Sequence, residues 1–417
     1  MATASAVASS VTAALGTGWH ARASGPTTSG ADGEAVTRAS VADRRTFGAR
    51  DGGGAPGATY APAMSTLVAV NGVLPPHVYE QAELTAAFAE MTTGTGLDPR
   101  IVRRLHNSAQ VKTRHLALPL EHYAKIDSFG AANDAFIATG LDLGAEAITG
   151  ALRSAGLDPT DVDLVISTTV TGVAVPSIEA RIAAQIGLRE DVKRIPMMGL
   201  GCVAGAAGIA RLHDYLLAYP DHVAVLLSIE LCSLTVQRDD GSMAAIVASA
   251  LFGDGAAAVV AVGARRAERL GLTGPQVIGS RSRLYPDSER AMGWDVGDSG
   301  LRIVLGAEVP ALVMRHLGAD VASFLSSYDL EIGDVARWVC HPGGPKVLDA
   351  VQQALGLPRS ALEVTWRSLA EVGNLSSASV LHVLRDTLSA PPPEPGSSGV
   401  VLAMGPGFCS ELVLLRW

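Results

Sequence analysis

Residues 161–168 read Asp161-Val162-Asp163-Leu164-Val165-Ile166-Ser167-Thr168, and residues 334–341 read Asp334-Val335-Ala336-Arg337-Trp338-Val339-Cys340-His341. Each octet follows a helical run and ends in a short apolar, β-branched stretch, which predicts a buried strand. The helix ahead of the first octet closes at Ala155-Gly156, where glycine suits a left-handed cap. Cys202 stands 41 positions beyond Asp161, in Gly201-Cys202-Val203-Ala204-Gly205-Ala206, which runs into Ile209, Leu212, Asp214 and Leu216. Asn374 stands 40 positions beyond Asp334, in Gly373-Asn374-Leu375-Ser376-Ser377-Ala378, which runs into Leu381, Leu384, Asp386 and Leu388. Each half then closes on glycines, Leu251-Phe252-Gly253-Asp254-Gly255 in the first and Met404-Gly405-Pro406-Gly407 in the second. Both read as tight turns between paired strands. Four segments in one order mark an internal duplication.

The repeat sets Thr168 against His341 at strand ends, and Cys202 against Asn374 at helix starts. Two halves packed about a pseudo-twofold axis bring their equivalent helices together, so Cys202 and Asn374 converge with His341 beside them. A cysteine attacks as its thiolate. A helix start favours negative charge, and a protonated His341 nearby would form an ion pair with the sulfur. His341 is followed by Pro342-Gly343-Gly344-Pro345, a rigid loop, and Asn374 supplies an uncharged amide donor. Two such donors aimed at one oxygen stabilise an enolate or oxyanion, each by ~2.7–4 kcal/mol. Cys340 and Cys409 read as small core residues, and Cys232 as pocket lining.

Composition narrows the partners. A net charge of -9 repels nucleic acid and anionic membrane surfaces alike. Four cysteines with no CxxC spacing make neither a disulfide framework nor a structural zinc site, and a reducing, cytoplasmic setting is expected. No metal is expected. No uninterrupted apolar run reaches ~18 residues, and the N-terminus lacks the pattern of a secretory signal. Residues 1–63, rich in Ala, Gly, Ser and Thr without sustained period, predict a disordered extension, with Met64 an alternative start. Two thiolase-like halves are expected at 64–265, carrying the cysteine, and 266–417, carrying the histidine and asparagine.

With the motifs around Cys202, Phe252, His341, Asn374 and Pro406 in this order, the chain resembles the type III polyketide synthases, the chalcone-synthase-like family of the thiolase superfamily. The resemblance implies an α/β fold, the duplicated five-layered αβαβα thiolase fold. It implies that an acyl-CoA loads onto Cys202 and that His341 and Asn374 hold the thioester oxygen while malonyl-CoA decarboxylates. The carbanion then extends the chain, which cyclises. Phe252 matches the family's gatekeeper, and Gly405, Pro406 and Gly407 its loop. Thr171, Cys232, Thr235 and Ser376 align with cavity-lining positions. Trp294 stands where relatives often carry Gly, Ile303 where plant members carry a second gatekeeping Phe, and Met404 where the loop usually has Phe. In the basic run Arg100, Arg103, Arg104, Lys112 and Arg114, Arg104 best matches a CoA-contacting arginine. The family implies a homodimer, in which Val175-Pro176 reaches the partner's cavity, with no cofactor and no carrier protein. A fatty-acid-initiating ketoacyl synthase is the rival reading. The product expected first is an alkylpyrone or alkylresorcinol; the second is a naphthalene built on a malonyl starter.

Overall fold

The computed structural model describes residues 64–417; the expected disordered extension, residues 1–63, lies outside the described residues. β1 (Ser65–Val73) opens the described chain, followed by the small pair β2 (His77–Glu80) and β3 (Thr113–Leu116). β4 (Leu164–Thr169), β5 (Lys193–Met198), β6 (Val223–Leu231) and β7 (Asp254–Val262) complete the first half. β8 (Gln276–Leu284) begins the second, then comes a separate ribbon of β9 (Met292–Gly297) and β10 (Gly300–Leu305). β11 (Val335–Cys340), β12 (Ser398–Gly405) and β13 (Cys409–Arg416) end the chain.

The main sheet runs β11-β12-β13-β8-β1-β7-β6-β4-β5, joined at its centre by an antiparallel contact pairing Ser65 with Val277 and Thr66 with Gln276. Outward from that seam, β1-β7-β6-β4 on one side answers β8-β13-β12-β11 on the other. The duplication seen in sequence is therefore also a topological one. Even the lead-ins agree. Asp161 accepts a hydrogen bond from the Asp158 backbone N–H at 2.9 Å, and Asp334 one from that of Glu331 at 2.8 Å. The acidic residue opening each octet closes a capping box around a short 3-10 turn.

Successive strand residues face opposite layers, and both faces are apolar. In the first half Leu164 and Ile166 point inward, while Val165 packs outward against Ile148 of the Phe129–Ala155 helix. In the second, Val339 and Val401 point inward, while Trp338 and Leu402 pack outward against the Val309–Ser326 and Pro345–Leu355 helices. Between the inward faces lie the Ala204–Ala218 and Ser377–Ser389 helices. The result is helix, sheet, helix, sheet, helix: the five layers expected. The Phe129–Ala155 helix is apolar and long enough to cross a membrane by length and composition, but half of its most apolar window is buried in the protein. It serves as an outer core helix.

Glycine sets how closely the two central helices approach. A Cβ on Gly205 would stand 2.3 Å from the Ser377 carbonyl oxygen and 2.6 Å from Val380 Cγ1. Since a backbone carbonyl cannot swing aside, Gly205→Val should destabilise the fold by at least ~1–3 kcal/mol. Urea titration should show a lowered midpoint at unchanged slope.

One expectation fails. Leu251-Phe252-Gly253-Asp254-Gly255 is not a tight turn between strands: the Met243–Leu251 helix, capped by the Ser242 hydroxyl, runs up to Phe252, and β7 starts at Asp254. Its counterpart does form a hairpin turn, linking β12 to β13 with Gly407 at φ 115°. Gly253 and Gly255 serve close approach instead. A Cβ on Gly253 would lie 2.6 Å from the Val372 carbonyl oxygen, and one on Gly255 2.9 Å from Leu375 Cδ1, so both admit the segment that carries Asn374.

Candidate active site

Cys202 sits in a 3-10 turn, Gly201–Val203, that feeds the Ala204–Ala218 helix. Gly201 adopts φ 53°, and a Cβ there would meet Pro406 Cδ at 2.7 Å, so the β12–β13 turn closes onto the cysteine's own turn. His341 directly follows β11, its backbone N–H donating to Leu402 O at 2.8 Å. Asn374 is fixed through its main chain: its N–H donates to Leu251 O at 2.8 Å, and its carbonyl accepts from Gly253 at 2.9 Å. Its side-chain Oδ1 accepts from Ser376 N at 2.8 Å and Ser379 Oγ at 3.4 Å, which presents the amide N–H donors on the other side.

The structure brings all three residues to one chamber of about 380 Å³, with Ser376 and Pro406 in the same wall. Cys202 Sγ lies 3.7 Å from Ser376 Oγ, and Ser376 holds the left-handed φ of 48°, a conformation L side chains avoid. Both ring nitrogens of His341 are buried without a partner among the described residues. The expected resting ion pair is therefore absent. Burial pushes the thiol up to about 12 and the imidazole down to about 3, so each is held neutral. Charge can enter this chamber economically only as a pair, when the sulfur's proton passes to the imidazole. Because that transfer keeps the proton within the pair, inactivation by iodoacetamide should be nearly level from pH 6 to 9, whereas in His341→Gln, where the proton must leave to solvent, it should quicken about tenfold per pH unit. A tenfold rise per pH unit in the unaltered protein would show that the imidazole does not take the sulfur's proton.

A second cavity of about 610 Å³ lies beyond a shared wall of Phe252, Cys232, Trp294 and Ile303, all of which line both spaces. Trp294 and Ile303 face each other across the β9–β10 ribbon. Thr235 lines the larger cavity. One expected lining residue, Thr171, and two loop glycines lie outside both cavities. Thr171 is buried and bonds Glu230 Oε2 at 3.0 Å. Gly405 fits against the cysteine's turn, where a Cβ would lie 2.7 Å from Leu200 O, and Gly407 serves the hairpin. The basic run is no single surface either. Arg104 is exposed on the Pro99–Ser108 helix, whose Leu105 and Ser108 reach the smaller chamber. Arg114 is buried and bonds the carbonyls of Ser249 and Phe252 and the Gln81 side chain.

Glu230 escaped sequence reading. It is fully buried at the end of β6, accepting hydrogen bonds from Ser377 Oγ, Thr171 Oγ1 and Val170 N, and burial raises its pKa. Its charge also opposes ionisation of Cys202. The available signal was a lone carboxylate within a strand apolar but for Ser228, Val223-Ala224-Val225-Leu226-Leu227-Ser228-Ile229-Glu230-Leu231.

A thiol facing an imidazole and an amide donor can carry an acyl thioester and stabilise an enolate oxygen. Comparison with known proteins bears on this arrangement. The N-terminal domain model of the chalcone and stilbene synthases matches residues 57–265, and the C-terminal one residues 276–417. A 1,3,6,8-tetrahydroxynaphthalene synthase of Streptomyces peucetius subsp. caesius is 57% identical over 353 residues, covering 85% of this chain and 93% of that protein. A 3,5-dihydroxyphenylacetyl-CoA synthase of Streptomyces toyocaensis is 32% identical, covering 81% of this chain and 86% of that protein. The crystal structure of the tetrahydroxynaphthalene synthase of Streptomyces coelicolor A3(2) matches with a TM-score of 0.79 at 30% identity, covering 84% of this chain and 99% of the other.

Proposed function

The chain belongs to the chalcone and stilbene synthase family and is a type III polyketide synthase, a decarboxylating condensing acyltransferase, and from that premise we propose that it makes a tetrahydroxynaphthalene-type product from malonyl-CoA alone. The naphthalene reading, second in order from sequence, moves ahead of the alkylpyrone or alkylresorcinol. The relative at 57% identity carries a naphthalene synthase name. The observation that carries the reading is the wall. Trp294, Ile303, Phe252 and Cys232 close the trio's chamber at about 380 Å³, a space suited to a compact bicyclic product. A long alkyl starter would have to pass that wall.

In this mechanism Cys202 Sγ attacks the thioester carbon of the starter, its proton passes to His341, and the CoA thiolate leaves with that proton. The next malonyl-CoA places its thioester oxygen between His341 and the Asn374 amide. Loss of carbon dioxide leaves an enolate whose carbon attacks the Cys202-bound acyl group, breaking the S–C bond. Repetition and ring closure follow. Arg104, one residue from chamber-lining Leu105, is the proposed contact for the CoA phosphates. Incubating the full chain with malonyl-CoA and no carrier protein should yield a naphthalene by mass spectrometry. A product that forms only when a fatty acyl-CoA is added, and retains its chain, overturns this.

The homodimer joins this proposal. β5 is a sheet edge with open backbone groups, and Ile195, Met198 and Val175 beside it are 44%, 57% and 88% exposed. Apolar side chains along an unpaired edge favour pairing with a second copy. Sedimentation should give a dimer, and Met198→Lys should shift it toward monomer.

A further inference from the structure

The larger cavity has one polar corner. Ser249, on the Met243–Leu251 helix, lines it, and its Oγ lies 3.1 Å from Nε2 of His106, which is fully buried. On the far side of the ring, His106 Nδ1 lies 2.9 Å from Thr85 Oγ1. The Thr85 hydroxyl gives its own proton to Gln81 O at 2.6 Å, so its oxygen can only accept from the ring. That fixes the proton on Nδ1 and leaves Nε2 as a lone pair facing the serine hydroxyl. Ser249 Oγ also lies 2.9 Å from Ile246 O, a resting alternative for the same proton. Arg114, which lines this cavity too, grips the Ser249 carbonyl through Nη1, and its Nε has no partner among the described residues. Burial, with the Arg114 charge, lowers His106 to about 4 and keeps the imidazole neutral at physiological pH.

We propose that Ser249, His106 and Arg114 form a second acyl-transfer site, separate from the cysteine chamber, which cleaves esters or thioesters whose acyl chains lie in the 610 Å³ cavity. Ser249 Oγ bonds to the acyl carbon while its proton moves to His106 Nε2. The Arg114 guanidinium balances the negative charge on the carbonyl oxygen. The bond to the leaving thiol or alcohol breaks, and that group departs with the proton held by His106. Water, deprotonated by the same nitrogen, then hydrolyses the acyl-serine to a free acid and restores the hydroxyl. Thr85 is a positioning residue that sets the tautomer.

The test uses the full chain as Cys202→Ala, so that no condensing thiol contributes and failure of the polyketide reading leaves the result unaffected. An alkyl fluorophosphonate should add one phosphonyl mass to the peptide containing Ser249, with fluoride lost. p-Nitrophenyl butyrate should be hydrolysed, and additional Ser249→Ala should cut that rate by ~10²-fold or more. Thr85→Val should lower it while Thr85→Ser restores it, a rescue that packing alone does not explain. Absence of label in a Cys202→Ala protein whose circular dichroism is native, or label persisting after Ser249→Ala, overturns the proposal. Unchanged labelling in folded His106→Gln overturns the role of the base.

Discussion

Cys202→Ala should carry no acyl group at position 202 and release no polyketide: peptide mapping after incubation with malonyl-CoA should find that residue unmodified. Turnover falls by ~10⁶-fold, the scale seen when a hydrolytic triad loses its nucleophile. The replacement costs little stability, because the buried side chain changes by one sulfur whose hydrogen-bonding contact is a long one to Ser376 at 3.7 Å. Cys340→Ala and Cys409→Ala keep acyl loading, since Cys340 lies in the outer core and Cys409 Sγ is tied to Pro406 O. His341→Gln and Asn374→Ala separate from the cysteine variant in kind. They still load an acyl group slowly but lose malonyl decarboxylation, by ~10²–10³-fold for a lost oxyanion donor. Polyketide formed by Cys202→Ala, or normal decarboxylation without Asn374, would dismantle the assignment.

Trp294→Gly joins the two cavities. The indole is part of the wall between the 380 Å³ and 610 Å³ spaces, and its cross-strand neighbour Ile303 is too small to replace it. Products should shift toward longer acyl starters or additional extensions, read as a changed product profile with a panel of acyl-CoAs. Loading at Cys202 persists, because nothing that holds the cysteine's turn comes from the ribbon. The competing outcome is a loss of ~3–5 kcal/mol from a truncated buried aromatic, with the same products. The ribbon argues against it: among the described residues β9 and β10 pair only with each other, and Val296 is 76% exposed. Thermal melting beside product analysis separates the two.

Much of this architecture is legible in the sequence because the duplication states its own geometry. Two matched octets and two matched helix starts suffice to place Cys202, His341 and Asn374 in one chamber. The reading breaks down where a residue's role depends on what crosses it from far along the chain. Gly253 and Gly255 carry turn chemistry in sequence, yet their missing side chains admit the segment around Leu375. Arg114 belongs to a basic run, yet its guanidinium is buried against carbonyls more than a hundred residues away. Thr171, just past β4, bonds Glu230 on β6, and Ser249 meets His106 from another helix. Periodicity reports which face of an element is buried; it is silent on which distant polar group waits there.

The two copies have also parted company in one place. Where the second half keeps a tight β12–β13 hairpin, the first inserts residues 232–253 between β6 and β7, and much of the shared wall comes from that excursion and the free-standing ribbon. Each copy supplies part of the anvil, the trio, and part of the mould, the wall. Variation in the excursion or the ribbon can reshape what is cast without disturbing the seam, the central helices or the thiol. Such a division of labour makes the fold evolvable: new products come within reach of single substitutions, and the condensing step need not be rebuilt for any of them.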